Sequence, residues 1–285
     1  MQLTFRSSVN QWECDENQHL NVRYYVDKHV QTLSAGLDPQ RRGAWLHAAI
    51  RTQHLRFQQE ARLATPITGC VTAVAGSDGN ACYLTELRHA VDGTVLSTCL
   101  TEVDGVDARL PQDLPDYAAP RGLATSDCPY QTIPLAEIES YGFQCIGAGI
   151  VTQGEIDAKG RLTPMHYMGR LSDSMPHLWA YLLDGEYHSE EEGGAVLEYR
   201  MDYRGHLCEG DRWVIYSGLL TTARKAQQFQ HLVFNPDSAR LVMACNAIGV
   251  RMDLKARSAV VFDDTRAAGL KARLLRSADF QKGAD

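Results

Sequence analysis

Between residues 15 and 19 the chain sets a carboxylate, an amide and an imidazole at alternate positions: Asp15, Asn17 and His19, within the run Asp15-Glu16-Asn17-Gln18-His19. If that segment is extended, alternate side chains share one face and the three can converge. Asn21 follows and is a good N-cap residue, because its short side chain accepts a hydrogen bond from a free amide of a helix's first turn. The amides beyond it carry a partial positive charge and could receive an oxygen on which negative charge develops. A carboxylate beside them could attack a carbonyl, or direct a water at it. The plainer alternative is a capped helix preceded by a solvated turn. Cys14 is the only cysteine next to the cluster and reads as a small buried filler or as a direct participant.

These residues need elements to hold them. After Asn21, Val22, Val26, Val30 and Leu33 recur at helical spacing, Tyr25 and His29 widen the stripe, and Ala35-Gly36 ends it. A short extended piece, Leu3 to Trp12, precedes the cluster. Further on the period changes: Ala48–Glu60, Pro66–Ala75, Ala81–Ala90 and Val95–Val103 read as strands. Gly76-Ser77-Asp78-Gly79-Asn80 and Val91-Asp92-Gly93-Thr94 form the turns between the last three. A helix followed by an antiparallel meander buries its apolar stripe when the sheet wraps around it.

The plan then repeats beyond a proline-containing, polar linker at 111–130. Cys145–Glu155 is extended, and Pro164 suits a helix start because its missing N–H would be unpaired there in any case. Leu171, Met175, Leu178 and Leu182 supply a second stripe, which Pro176 should kink or split. Ala195–Tyr203, Arg212–Ala223, Gln227–Phe234 and Arg240–Val250 are the matching strands. The interval from His19 to Glu60 nearly equals that from His166 to His206, which supports an internal duplication. The expected fold class is α+β: two antiparallel sheets, each wrapped around a long helix, in an intrachain pseudo-dimer. The expected boundaries are 1–110, the linker 111–130, 131–262 and a tail at 263–285.

Trp12-Glu13-Cys14-Asp15-Glu16-Asn17-Gln18-His19-Leu20-Asn21-Val22-Arg23-Tyr24-Tyr25 resembles the signature of the hot-dog-fold thioesterases. Its Asp-x-Asn-x-His spacing is most similar to that of the double hot-dog acyl-ACP thioesterases. The resemblance implies a double hot-dog fold and a later glutamate after an aromatic and two polar residues, which Phe57-Gln58-Gln59-Glu60 provides. It therefore implies a catalytic set of Asp15, Asn17, His19 and Glu60, with Asp15 or Glu60 as base or nucleophile and Asp15 preferred. The position of the cluster departs from the family: in acyl-ACP thioesterases it lies in the C-terminal hot dog, and here in the N-terminal one. Many relatives acting on CoA esters also carry glycine where this chain has Gln18.

The activity so implied is hydrolysis of an acyl-CoA or acyl-carrier-protein thioester; hydration or dehydration of such an ester, or non-catalytic binding of it, are the alternatives. Candidate substrate contacts are Asn21, Tyr24, Tyr25, His166 and His206. The two histidines, with Asp173 and His177 near them in sequence, could form a second polar site or even hold zinc, but their spacing lacks a metal motif, and neither metal nor cofactor is expected. The second copy is expected to have lost its carboxylates, leaving one hydrolytic centre per chain.

Composition agrees with a folded globular chain: 44% hydrophobic and 22% charged residues. A formal charge of -7 with scattered basic residues argues against a nucleic-acid partner. No apolar run is long enough to span a membrane, no signal peptide is recognisable, and eight cysteines without a CxxC suit reduced thiols in the cytoplasm. Association into a homodimer is left open, since duplication already supplies a partner.

Overall fold

A computed structural model describes residues 2–37, 50–75, 81–104, 113–123, 129–185 and 191–277. The turn expected at 76–80, parts of the linker and the end of the tail lie outside the described residues. The chain divides into two compact units, one of residues 1–121 with 156–169, the other of 122–155 with 170–285.

The first unit comprises β1 (Gln2–Ser8), α1 (Val22–Gly36), β2 (Ile50–Phe57), β3 (Pro66–Ala75), β4 (Ala81–His89) and β5 (Val95–Val103). Its strands pair antiparallel in the order β1-β3-β4-β5-β2. Asn21 caps α1 as the sequence suggests, its side chain accepting from the Arg23 amide at 3.1 Å. The helix buries Tyr25, Val26, His29 and Leu33 and packs across β1, β3 and β4. Each such apolar side chain contributes about 1.5–3 kcal/mol by leaving water. Close approach depends on small residues. A Cβ on Gly69 of β3 would stand 2.2 Å from Thr32 Oγ1, and one on Gly36 would stand 2.2 Å from Val71.

The second unit holds β6 (Gln144–Ile150), most of α2 (Pro164–Leu182), β7 (Glu192–Tyr203), β8 (Arg212–Thr222), β9 (Ala226–Asn235), β10 (Arg240–Asp253), the short β11 (Ser258–Ala259) and α3 (Asp264–Lys271). Its main strands run β6-β8-β9-β10-β7, again antiparallel. Numbered within each unit, the two strand orders are identical. Registers match as well: Val71 opposes Thr85 and Thr85 opposes Cys99 in one unit, while Ser217 opposes His231 and His231 opposes Cys245 in the other.

Three expectations are sharpened or corrected. The helix beginning at Pro164 continues through Pro176 to Leu182 as one element, so of the kink or split expected at the proline the split is excluded. Cys145–Glu155 is not extended throughout: β6 stops at Ile150 and a single 3-10 turn covers Gln153–Glu155. Likewise Gln11–Glu13 is a 3-10 turn rather than strand. In both places a buried glutamate bonds back to the residue opening the turn. Glu13 Oε2 accepts from the Asn10 amide at 2.8 Å, and Glu155 Oε2 from the Thr152 amide at 2.8 Å.

Candidate active site

The Asp15–His19 segment is a closed hairpin rather than an extended strip. Cys14 bridges Leu20, the Asp15 amide donates to the His19 carbonyl at 2.8 Å, and the Gln18 amide donates to the Asp15 carbonyl at 3.0 Å. Closing so tight a turn puts Gln18 at φ +61, in the left-handed region, a conformation that glycine adopts without the Cβ penalty. Asp15 holds the loop from inside: its Oδ1 accepts from the Asn17 amide at 2.9 Å and the His19 amide at 3.0 Å. Asn and Asp characteristically cap turns in this way. Burial pushes the Asp15 carboxyl above the usual carboxylate range, against those two amides and the His19 ring, which favour the ionised form.

A second strand of contacts delivers Glu60. His19 forms an antiparallel bridge with Arg62, the Leu20 amide donates to the Ala61 carbonyl at 2.8 Å, and the Leu63 amide to the Gln18 carbonyl at 3.4 Å. The turn after β2 is thereby laid along the hairpin. His19 Nε2 lies 3.5 Å from Glu60 Oε2, with the His19 side chain 13% and the Glu60 side chain 38% exposed. Arg62 Nη2 lies 3.9 Å from the same carboxylate oxygen. Of the four residues of the implied set, three share one hairpin and the fourth meets its histidine.

The remaining candidates fall into structural and separate places. Tyr25 is buried; its hydroxyl accepts from the Ala61 amide at 2.9 Å and its ring meets Phe57 edge-on at 5.1 Å. Burial, with Glu60 and Asp15 nearby, pushes its phenol up, so it pins helix to turn as a neutral group. Asn21 uses its side chain as the helix cap, which withdraws the Arg23 amide from the donors available to a substrate oxygen. Tyr24 is half-buried on α1. His166, at the start of α2, has Nδ1 2.8 Å from Thr163 Oγ1 and belongs to the first unit. His206 lies after β7 in the second unit, its carbonyl accepting from Arg240 at 3.3 Å. Among the described residues no group of three His, Cys, Asp or Glu is placed to hold a metal ion.

Two residues not foreseen in the sequence brace the hairpin. Lys28, buried on α1, donates to Glu13 Oε1 at 2.6 Å, and the Asn21 amide donates to the Glu13 carbonyl at 2.8 Å. A lysine inside the apolar stripe was the available signal, since lysine is almost never fully buried unless paired.

The second copy keeps the scaffold. Asp157 takes the place of Asp15: its Oδ1 accepts from the Lys159 amide at 2.8 Å and the Arg161 amide at 3.1 Å, and Ile156 bridges Leu162. Gly160, φ +75, stands where Gln18 does. Glu155 and Arg170 replace Glu13 and Lys28 as an ion pair. This corrects two expectations. The hairpin of the second copy has kept its aspartate, because the turn needs that carboxylate whether or not there is chemistry beside it. His166 is the counterpart of Tyr24 rather than of His19, whose own counterpart is Arg161. His206 does stand in Glu60's place, three residues after the aromatic that ends each strand.

No protein-family model and no curated protein matches the sequence. Solved structures do. An oleoyl thioesterase (putative) from Lactobacillus plantarum is 13% identical, with 87% of this chain and 95% of that one covered at a TM-score of 0.60. The 12:0-ACP thioesterase from Umbellularia californica is 11% identical, with 87% and 94% covered at 0.59. An acyl-ACP thioesterase from Bacteroides thetaiotaomicron is 12% identical, with 86% and 96% covered at 0.57. This chain has their fold. At such identities the likeness is one of architecture, and the chemistry of this chain has to be argued from its own hairpin and turn. Among the described residues no helix is long and apolar enough to cross a membrane.

Proposed function

We propose that the chain hydrolyses an acyl thioester, of CoA or of an acyl carrier protein, to a free acid and a thiol. The observation that carries this reading is the 3.5 Å approach of His19 Nε2 to Glu60 beside the Asp15 hairpin, on a fold shared with proteins described as acyl-ACP thioesterases.

A water held between Glu60 and His19 attacks the carbonyl carbon and gives its proton to Glu60, the general base. The Asn17 side-chain amide donates to the oxygen on which charge gathers. Collapse of the tetrahedral intermediate breaks the carbon–sulfur bond, and the thiolate leaves with the proton returned from Glu60 through His19. A thiolate is a good leaving group, so the step balances without a co-reactant. Asp15, with Oδ1 committed to two backbone amides, is a positioning residue that fixes Asn17 and His19; this reverses the preference for Asp15 as base. His166, His206, Tyr24, Tyr25 and Asn21 are secondary, acting through packing and caps.

We infer further that residues 1–110 and 131–262 are the two copies of a double hot-dog pseudo-dimer in the cytoplasm, joined by the 111–130 linker, with one hydrolytic centre per chain. Thiol release from a panel of acyl-CoA and acyl-carrier-protein substrates tests the reading. Release by the wild type on at least one is expected, and none on any would contradict it. Loss of enoyl absorbance without thiol release would assign a hydratase instead.

A further inference from the structure

Two large apolar side chains border the Asp15–His19 hairpin in the open. Trp12, in the 3-10 turn immediately before it, is 74% exposed, and Leu63, whose amide bonds to Gln18 in the hairpin's turn, is 42% exposed. Single exposed apolar residues are ordinary. The internal copy makes this pair unusual. The position of Trp12 is taken by Gly154, where an added Cβ would meet nothing within 4 Å, and that of Leu63 by exposed Glu209. The apolar pair therefore accompanies the hairpin that carries His19 and faces Glu60, and is missing from the copy that carries Arg161. Folding does not explain the difference, because the same hairpin closes without either side chain.

We propose that Trp12 and Leu63 are substrate-contact residues that hold the phosphopantetheine arm shared by CoA and acyl carrier proteins. The inference rests on the thioesterase reading. The arm fits because it is the part of such a substrate that must run from solvent to the carbonyl. Its gem-dimethyl and ethylene groups bury against apolar side chains, while its amides stay near water. Trp12 supplies a broad, rigid face with two side-chain torsions to order, and Leu63 adds a second apolar surface three residues after Glu60, on the turn bonded to the hairpin at Gln18. An acyl chain would need an interior path, and these side chains are on the surface.

The test compares Trp12→Ala and Leu63→Ala with the wild type on one acyl group carried by CoA, by an acyl carrier protein and by N-acetylcysteamine, which lacks most of the arm. Loss of a well-seated tryptophan contact corresponds to about tenfold or more in affinity. The kcat/KM ratio of CoA ester to N-acetylcysteamine ester is expected to fall about tenfold in Trp12→Ala and several-fold in Leu63→Ala, mainly through KM, with a parallel fall on the carrier protein. Val91→Ala, an exposed apolar side chain on the β4–β5 turn, is expected to leave the ratio unchanged. Equal losses on all three esters, a loss confined to one carrier, or no loss would overturn the assignment. If the wild type hydrolyses none of them, the thioesterase reading fails separately, and quenching of tryptophan fluorescence by CoA and by phosphopantetheine decides this one. Quenching and binding lost in Trp12→Ala sustain it; equal binding by both proteins, or binding by neither, overturns it. A wild-type dimer that Trp12→Ala converts to monomer would give the surface to a second copy and also overturn it.

Discussion

The hairpins at Asp15–His19 and Asp157–Arg161 have the same backbone and different ends. Both are closed by an aspartate that accepts two amides, both place one residue at positive φ, and both are braced by a buried glutamate with a cationic partner on the following helix. What differs is the residue at the open end. His19 approaches Glu60, whereas Arg161 folds back on its own Asp157, with Nη2 at 2.8 Å from Oδ2. Features common to both copies belong to the scaffold, and features found in one belong to its chemistry. By that comparison Asp15 is first a turn residue, and the proposed chemistry falls to His19 and Glu60.

The comparison breaks most readily at the brace. Lys28→Met leaves the Glu13 carboxylate buried without its partner and is expected to cost about 3–5 kcal/mol. Arg170→Met, leaving Glu155, should cost less, because that pair is more open to solvent. Denaturant unfolding of both variants checks this; equal losses would show that the two braces are energetically alike. His19→Ala should lower kcat by about a hundredfold or more, while Arg161→Ala stays within about twofold, since it is remote from the transition state in this account. Thiol-release kinetics would reveal a large effect of Arg161→Ala and so a second working centre.

A third contrast concerns histidine in the layer between helix and sheet. In the first unit His29 on α1 bonds Thr85 and Ser97, both at 2.8 Å; in the second, His231 stands on the strand at Thr85's place and bonds Ser217 at 2.7 Å, with Leu171 at the helix position. Burial lowers both imidazoles to about 3, well below the unfolded value near 6.5. Above about pH 6.5 both states are neutral and stability is unaffected by these groups. As pH falls from there toward about 3 the unfolded chain takes up protons that the folded chain refuses, so stability declines by about 1.4 kcal/mol per pH unit for each histidine. His29→Gln and His231→Gln should each flatten that decline in a melting series, and an unchanged slope would show that neither imidazole is held neutral.

The smallest effect is at the tip. Gln18→Gly should stabilise the first hairpin by about 0.5–1 kcal/mol, and Gly160→Ala should destabilise the second by about 1 kcal/mol or slightly more. Thermal melts of opposite sign are expected; shifts of the same sign would mean that the two tips carry different strain.

Much of the scaffold could be read from residue order. Pro66–Ala75 and Val95–Val103 are strands over the expected ranges, because β-rich runs bounded by turn residues leave little choice. The Asn21 cap and the Pro164 start were equally legible, each being a local backbone requirement. The hairpin was not. Alternation in Asp-x-Asn-x-His suits an extended strip, and nothing local announces that Gln18 turns left-handed, since glutamine, unlike glycine, carries no preference for that conformation. Glu60 came from resemblance alone, as its meeting with His19 depends on the Leu20–Ala61 and His19–Arg62 backbone pairing between distant segments. The Glu13–Lys28 pair was half hidden for a similar reason: Lys28 in the apolar stripe calls for a partner, but that the partner is Glu13 is fixed only when hairpin and helix pack.

The central claim is that Glu60 is the base and Asp15 the positioning residue, and the most direct measurement is kcat for thiol release by Glu60→Gln and Asp15→Asn, with the melting temperature of each. The account predicts that Glu60→Gln loses about a hundredfold to ten-thousandfold in kcat with stability nearly intact, since its side chain is partly exposed, whereas Asp15→Asn loses stability along with activity. Wild-type kcat in Glu60→Gln would contradict it.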